Sequence, residues 1–290
     1  MTFLYLLETN TAVLISVTVL IGLMVGSFLN VVIHRLPIMM ERSWREESIQ
    51  LLGLNAEAGT TQEAFNLMRP SSHCPSCKTP LRAWQNIPIF SYLLLGGKCA
   101  DCKARISIRY PAVEAFTALM SALVVWHFGW SLQAGMALIL TWSLISLSLI
   151  DIDHQLLPDV ITQPLLWLGL ALSTHNLFTD SHSAIIGAIA GYLSLWSVYQ
   201  LFKILTRKEG MGFGDFKLLA LFGAWLGWQV LPFIILFSSL VGACSGTLMI
   251  LSGKQSRSTP IPFGPYLSAA GWIVLLWGDP IFQWYIGIIR

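Results

Sequence analysis

Eight apolar runs divide this chain, each close to the roughly 20 residues that a helix needs to span the hydrocarbon core of a bilayer. They fall at 11–33, 112–130, 134–151, 160–176, 183–203, 214–230, 231–251 and 264–287. Pro164 interrupts the fourth and glycines crowd the start of the sixth, but membrane helices tolerate both residue types better than soluble helices do. Composition agrees, since 55% of the 290 residues are hydrophobic and 11% charged, far from the balance of a soluble domain. The sequence therefore predicts an all-α polytopic membrane protein of about eight transmembrane helices. The first run has no basic region before its apolar core and no small-residue cleavage site, so it reads as a retained helix rather than a signal peptide.

Lysine and arginine set the expected orientation. With strictly alternating helices, the stretch from Arg35 to Arg109 and the loops near 152–158, 203–213 and 252–259 share one side. Together with Lys217 they hold every basic residue except Arg290, sixteen of the seventeen. Such a bias marks the cytoplasmic side, which leaves the amino terminus periplasmic. A basic cytoplasmic face also suits anionic membrane lipid. No nucleic-acid partner is expected, because the basic residues are spread over loops rather than gathered with aromatics into a stripe. Three regions follow: a first transmembrane helix at 1–34, a cytoplasmic insert at 35–111 and a polytopic membrane domain at 112–290.

The insert begins with ERSWREESIQLLGLNAEAGTTQEAFNLMRP, which reads as a short helix and a loop. Its second part is organised by Cys74-x-x-Cys77 and Cys99-x-x-Cys102, with 21 residues between the pairs. Two short-looped thiol pairs at this spacing can close a tetrahedral zinc site. Disulfide or redox chemistry is the competing reading, and a reducing cytoplasm disfavours it. Four thiolates fill the coordination shell, so the zinc is expected to be structural, with His73 a bystander. Cys244, alone in an apolar run, reads as a small core residue.

Outside the insert two groups of acids stand out, Asp151, Asp153 and Asp159 in SLIDIDHQLLPDVI and Asp215 in GMGFGDFKLL. Asp151 closes the third apolar run and Asp215 opens the sixth, so both belong to the same membrane face. Two carboxyls held close in a poorly solvated site do not easily both ionise and titrate as a coupled pair. Such a dyad can activate a water with its charged member and polarise a scissile carbonyl with its neutral one. Gly210, Gly212 and Gly214 would allow unusual dihedrals and a close substrate approach. Aspartate is also a common N-cap, so at Asp215 the capping and catalytic readings both stay open on the residues alone. Asp159, after Pro158, reads as a cap, and Asp153 as a water-facing loop residue. Lys217 could pair with Asp215, but its stem more easily snorkels to the interface.

The order GSFLNVVIHRLP, CPSC, CADC, YPAVE, LIDIDHQLLPD, GMGFGDFKLLA and TPIPFGPYL resembles the bacterial type IV prepilin peptidases and their type II secretion counterparts over essentially the whole chain. The resemblance implies a GxGD-type membrane aspartic endopeptidase of the bacterial inner membrane, with Asp151 and Asp215 catalytic and Gly212 and Gly214 in the supporting motif. It implies type IV prepilins and type II secretion pseudopilins as substrates, cut on the cytoplasmic side after a glycine that ends a short basic leader. It also implies methylation of the new amino terminus from S-adenosylmethionine. That activity rests on the resemblance alone, since no glycine-rich strand-turn-helix motif marks a donor site, and its residues stay unassigned.

Two other function classes fit less well. A transporter places its acids near the bilayer midplane and often repeats its halves, whereas these acids are interfacial and no internal repeat is visible. A membrane-tethered zinc adaptor needs far fewer than eight spans.

Overall fold

The computed structural model describes residues 3–53, 65–208, 210–253 and 261–289. Their regular structure is helical, apart from two isolated antiparallel bridges that pair His73 with Pro80 and Lys98 with Arg105. The chain forms two compact units, Met1–Ala134 and Gly135–Arg290.

The first unit is built on helices α1 (Phe3–Thr9), α2 (Thr11–Leu51), α3 (Phe90–Leu94) and α4 (Arg109–Phe128). Asn10 caps α2, its side-chain oxygen accepting the amides of Ala12 at 3.0 Å and Val13 at 3.2 Å. A small-residue face joins α2 to α4. A Cβ on Gly22 would lie 2.8 Å from the Cα of Ala118, and one on Gly26 would lie 2.7 Å from the Cα of Glu114. In membranes, where apolar burial gives no preference for protein over lipid, such close backbone approach supplies the packing energy.

The first helix does not end where its apolar run ends. Instead of a span at 11–33 followed by a separate short helix, α2 continues through Pro37 to Leu51. An interior proline removes one backbone hydrogen bond, yet the helix runs on through Pro37, which is buried. The polar half then carries its own support, with Ser43 Oγ donating to Glu47 Oε1 at 3.2 Å. The loop expected next falls largely at 54–64, outside the described residues.

The second unit comprises α5 (Leu132–His154, which begins in the first unit), α6 (Asp159–Ser173), α7 (Ser181–Thr206), α8 (Phe213–Leu226), α9 (Leu231–Leu251) and α10 (Gly264–Ile289). Helix α8 is its core. Apart from Lys217, every side chain from Asp215 to Trp225 is buried, as expected of a helix apolar on all sides. Glycines let three neighbours close on it. Gly187 and Gly191 of α7 meet the backbone of Gly223, Leu219 and Ala220, Gly169 of α6 lies against the Trp225 ring, and Gly271 of α10 against the Phe222 ring. Trp225 Nε1 donates to the Leu165 carbonyl of α6 at 2.8 Å, and Trp272 Nε1 of α10 to Thr141 Oγ1 of α5 at 3.0 Å.

Among the described residues, five helices are long and apolar enough to cross a membrane: α2, α4, α5, α7, and α9 with the turn that precedes it. The protein is a membrane protein on that count. Helix α6 is a shorter apolar helix, and α8 has 14 residues. Cys244 corrects one expectation. It is exposed on α9 rather than packed in a core, because α9 turns much of its surface outward.

Candidate functional site

Asp151 lies in the last turn of α5, whose preceding apolar run places it at the helix end. Asp215 lies in the first turn of α8. Both carboxylic acids are buried, at 6% and 7% exposure, and Asp215 is within electrostatic reach of Asp151. The two acids, 64 positions apart by residue number (215 − 151), are thus brought together.

Helix α10 completes the arrangement. The backbone N–H of Gly264, its first residue, donates to Asp151 Oδ2 at 3.0 Å. A helix amino terminus has amides without intrahelical partners and a positive dipole end, so it suits a carboxylate. Leu157 wedges between the glycines of both motifs. A Cβ on Gly264 would stand 3.1 Å from Leu157 Cδ2 and 2.8 Å from Asp151 Oδ2, and one on Gly214 would stand 2.7 Å from Leu157 Cβ. Tyr199 supports the start of α8 from α7, its ring 5.3 Å from that of Phe213 and 5.7 Å from that of Phe216.

These contacts change several readings. Gly212, not Asp215, is the N-cap of α8, with φ −78° and ψ 146°. None of Gly210, Gly212 and Gly214 has a positive φ, so the glycines serve space rather than unusual dihedrals. Gly214 makes room for Leu157, and Gly210 for the Phe202 ring. Gly212 is open, with Asp215 Oδ2 at 4.0 Å the nearest atom to an added Cβ. Pro158, not Asp159, occupies the N-cap position of α6, and no side chain caps that end. Asp159 instead takes Lys217 through both oxygens, at 2.8 and 2.7 Å, so Lys217 neither pairs with Asp215 nor simply snorkels. Asp153 is exposed, but within α5 rather than in a loop.

In the first unit Cys74, Cys77, Cys99 and Cys102 come together with all four Sγ atoms within 4.8 Å of one another. The cluster can hold a metal ion. Two matched turns build it. Cys74 N–H donates to the Thr79 carbonyl at 3.0 Å and Cys99 N–H to that of Ala104 at 2.8 Å. The residue after each second cysteine, Lys78 or Lys103, has φ near 60°. Cys74 and Cys102 sulfurs stand 3.8 Å apart, and those of Cys77 and Cys99 4.0 Å. These are not disulfide distances, and all four thiols are free. Tetrahedral thiolates about 2.3 Å from one zinc-sized ion stand about 3.8 Å apart, so the cluster fits such an ion. The Thr79 hydroxyl, 3.2 Å from the Cys77 sulfur, holds that thiol down at about 6. His73 stays outside the cluster, its Nδ1 3.1 Å from the Ser71 carbonyl.

Gly264 and Leu157 were not singled out by the residue types of the sequence. The only signal for Gly264 is its place in TPIPFGPYL, between a polar loop and an apolar run.

Comparison with known proteins places these features in a family. Residues 20–128 match the bacterial peptidase A24 N-terminal domain, and residues 138–247 match the type IV leader peptidase family. The prepilin leader peptidase/N-methyltransferase of Pseudomonas aeruginosa is 59% identical over 93% of this chain and 92% of its own length. That of Stutzerimonas stutzeri is 56% identical over 98% of both, and that of Neisseria gonorrhoeae 49% identical over 91% of this chain and 90% of its own. No solved structure matches the chain. Identity of this order across nearly the full length leaves one conclusion: the chain belongs to the prepilin leader peptidase/N-methyltransferases of the type IV leader peptidase family.

Proposed function

We propose that this protein removes the leader of type IV prepilins and pseudopilins at the cytoplasmic face of the bacterial inner membrane, with Asp151 and Asp215 as its catalytic acids, and then methylates the new amino terminus. The observation that carries the proteolytic half is the burial of two carboxylic acids, drawn from separate helices, within electrostatic reach of each other. The relatives' name carries the second half.

In this reading the dyad holds one proton between two carboxyls. The ionised carboxylate takes a proton from a water, whose oxygen attacks the scissile carbonyl carbon. The protonated carboxyl gives its proton to the carbonyl oxygen. The tetrahedral intermediate then collapses: the C–N bond breaks, the acid that first served as base protonates the departing amine, and a hydroxyl of the intermediate returns its proton to the other carboxylate as the C=O bond reforms, restoring the dyad. Gly264 N–H fixes one oxygen of Asp151 and leaves the other for water, a matter of positioning in the sense that misplaced groups lose rate steeply. The open face of Gly212 beside Asp215 gives an extended peptide room to approach.

The substrate suits this depth. A prepilin keeps an apolar helix in the membrane and a basic leader in the cytoplasm, so the bond between them lies at the interface. The split of sixteen basic residues against one supports a cytoplasmic site and a periplasmic amino terminus. For the cysteine cluster we assign structural zinc, held by Cys74, Cys77, Cys99 and Cys102 with no open coordination position. S-adenosylmethionine is the methyl donor the family name points to. Among the described residues there is no strand-turn-helix cradle for a nucleotide-like group, so no residue is assigned to it and no step is routed through it.

The test is product analysis. Purified full-length protein is given a prepilin-like peptide with and without S-adenosylmethionine, and products are read by mass spectrometry. Loss of the leader in both cases, with one added methyl only when the donor is present, is the expected result. An intact peptide in both contradicts the proposal.

A further inference from the structure

We propose that Ile87–Leu94 of the cysteine-bearing insert is an interfacial membrane anchor, its apolar side chains sunk into the acyl boundary of an anionic leaflet and its depth set by Glu114 of α4. The proposal rests on α2 and α4 being membrane spans, not on the peptidase chemistry.

The first observation is an apolar surface in the wrong place for a water-soluble insert. Within eight residues Ile87, Phe90, Leu93 and Leu94 are exposed, the last three at 58%, 69% and 64%. Trp84, just before them, is exposed too. Only Ser91 of α3 is buried. Large apolar side chains exposed this close together in the chain point to a membrane or partner contact rather than a solvated face.

The second observation fixes the depth. Ile89 has φ 56° and ψ −48°, a region a β-branched residue adopts only when its surroundings impose it. Two contacts hold it there: the Phe90 N–H donates to the Pro88 carbonyl across it, and Glu114, a buried side chain of α4, accepts the Ile89 N–H on its Oε2 at 2.7 Å. Helix α4 has 20 residues, and at about 1.5 Å per residue that is about 30 Å, the thickness of the hydrocarbon core. Glu114 lies five residues beyond Arg109, the first residue of α4, so about 7–8 Å along the axis. Backbone bonded to Glu114 therefore sits below the plane at which α4 enters the membrane.

A segment at that depth needs its backbone donors satisfied without water. The amides of Ile87, Ile89, Phe90, Ser91, Leu93 and Leu95 all have acceptors, Glu114 for Ile89 and carbonyls of Trp84, Pro88, Ile87, Ile89 and Ser91 for the rest. Ser91 Oγ closes the turn by donating to the Gln85 carbonyl at 2.8 Å.

Charge names the occupant. Arg82, Lys98, Lys103, Arg105 and Arg109 flank the segment against one acid, Asp101, and all six are exposed. An apolar wedge ringed by cations fits an anionic lipid surface. Helix α4 exposes Tyr110 and Phe116 in the half that carries Glu114.

The experiment uses the full-length zinc-loaded protein in nanodiscs of phosphatidylethanolamine and phosphatidylglycerol that carry a diazirine in one acyl chain. After irradiation, lipid adducts are mapped by mass spectrometry, with the exposed Phe116 and Leu119 of α4 as the internal reference. Adducts at 87–94 comparable to the reference are expected, falling about five-fold when Leu93 and Leu94 are both changed to Ser. Both side chains are exposed, so that variant should fold. Adducts on α4 with none at 87–94 overturn the anchor, as do cross-links from 87–94 to a second copy in place of lipid. Adducts on neither remove the membrane reading and the anchor with it. Leader cleavage is read separately in the same nanodiscs, so an active protein without adducts at 87–94 loses only the anchor.

Discussion

Gly264 sets its backbone amide 3.0 Å from Oδ2 of Asp151, although 113 positions separate them in the chain. An added methyl at Gly264 would stand 2.8 Å from that oxygen, so Gly264→Ala has to push the carboxyl out of place. Displacement of a catalytic group by about 1 Å lowers rate by about 100-fold. Gly264→Ala is therefore expected to lose most cleavage through kcat, with metal content and thermal unfolding close to wild type. A variant that keeps full kcat would show that this contact does not position the acid.

The two motif glycines should separate. Gly214→Ala brings a Cβ 2.7 Å from Leu157 Cβ, an atom fixed to the backbone, and overpacking of this kind costs about 1–3 kcal/mol. Gly212→Ala meets nothing closer than 4.0 Å. Thermal unfolding in detergent should fall clearly for the first and barely for the second. For Gly212→Ala the expected change is a raised KM, since its open face is where substrate would pass.

Lys217 and Asp159 form a bidentate pair at 2.8 and 2.7 Å, with side chains 27% and 56% exposed. Exposed pairs contribute about 0.2–1 kcal/mol. Lys217→Met should thus shift the unfolding temperature by no more than a few degrees and leave cleavage within about two-fold. Collapse of cleavage with folding intact would mean that Lys217 acts on Asp215 after all.

For the cysteine cluster, one zinc per chain is expected by elemental analysis. Cys102→Ser should release it, because three thiolates leave the tetrahedral shell open. Limited proteolysis should then cut between residues 65 and 108 in the variant, or in wild type stripped by a chelator, faster than in the loaded protein. Wild type without metal, or a cluster variant that retains it fully, would refute the assignment.

What was legible in the sequence was local or periodic. The apolar runs gave α4, α5, α7 and α9 nearly to the residue, and paired Cys-x-x-Cys motifs gave the metal cluster because each pair sits in one turn. Misreadings came where a distant partner overrode a local rule. Asp159 looked like a cap because it follows Pro158, yet its partner is Lys217, 58 positions away. The glycines before Asp215 suggested strained backbone, whereas Gly214 is needed for Leu157 across the site. Glu114 sat unnoticed in YPAVE, since nothing local hints at its bond to Ile89.

The most direct measurement is cleavage of a prepilin-like peptide by wild type, Asp151→Asn and Asp215→Asn, each shown to be folded and metal-loaded. Either change alone is expected to lower kcat by at least about 1,000-fold, because neither acid can complete the proton transfers without the other. Cleavage at near wild-type rate in either variant would remove that acid from the chemistry and contradict the two-carboxyl mechanism.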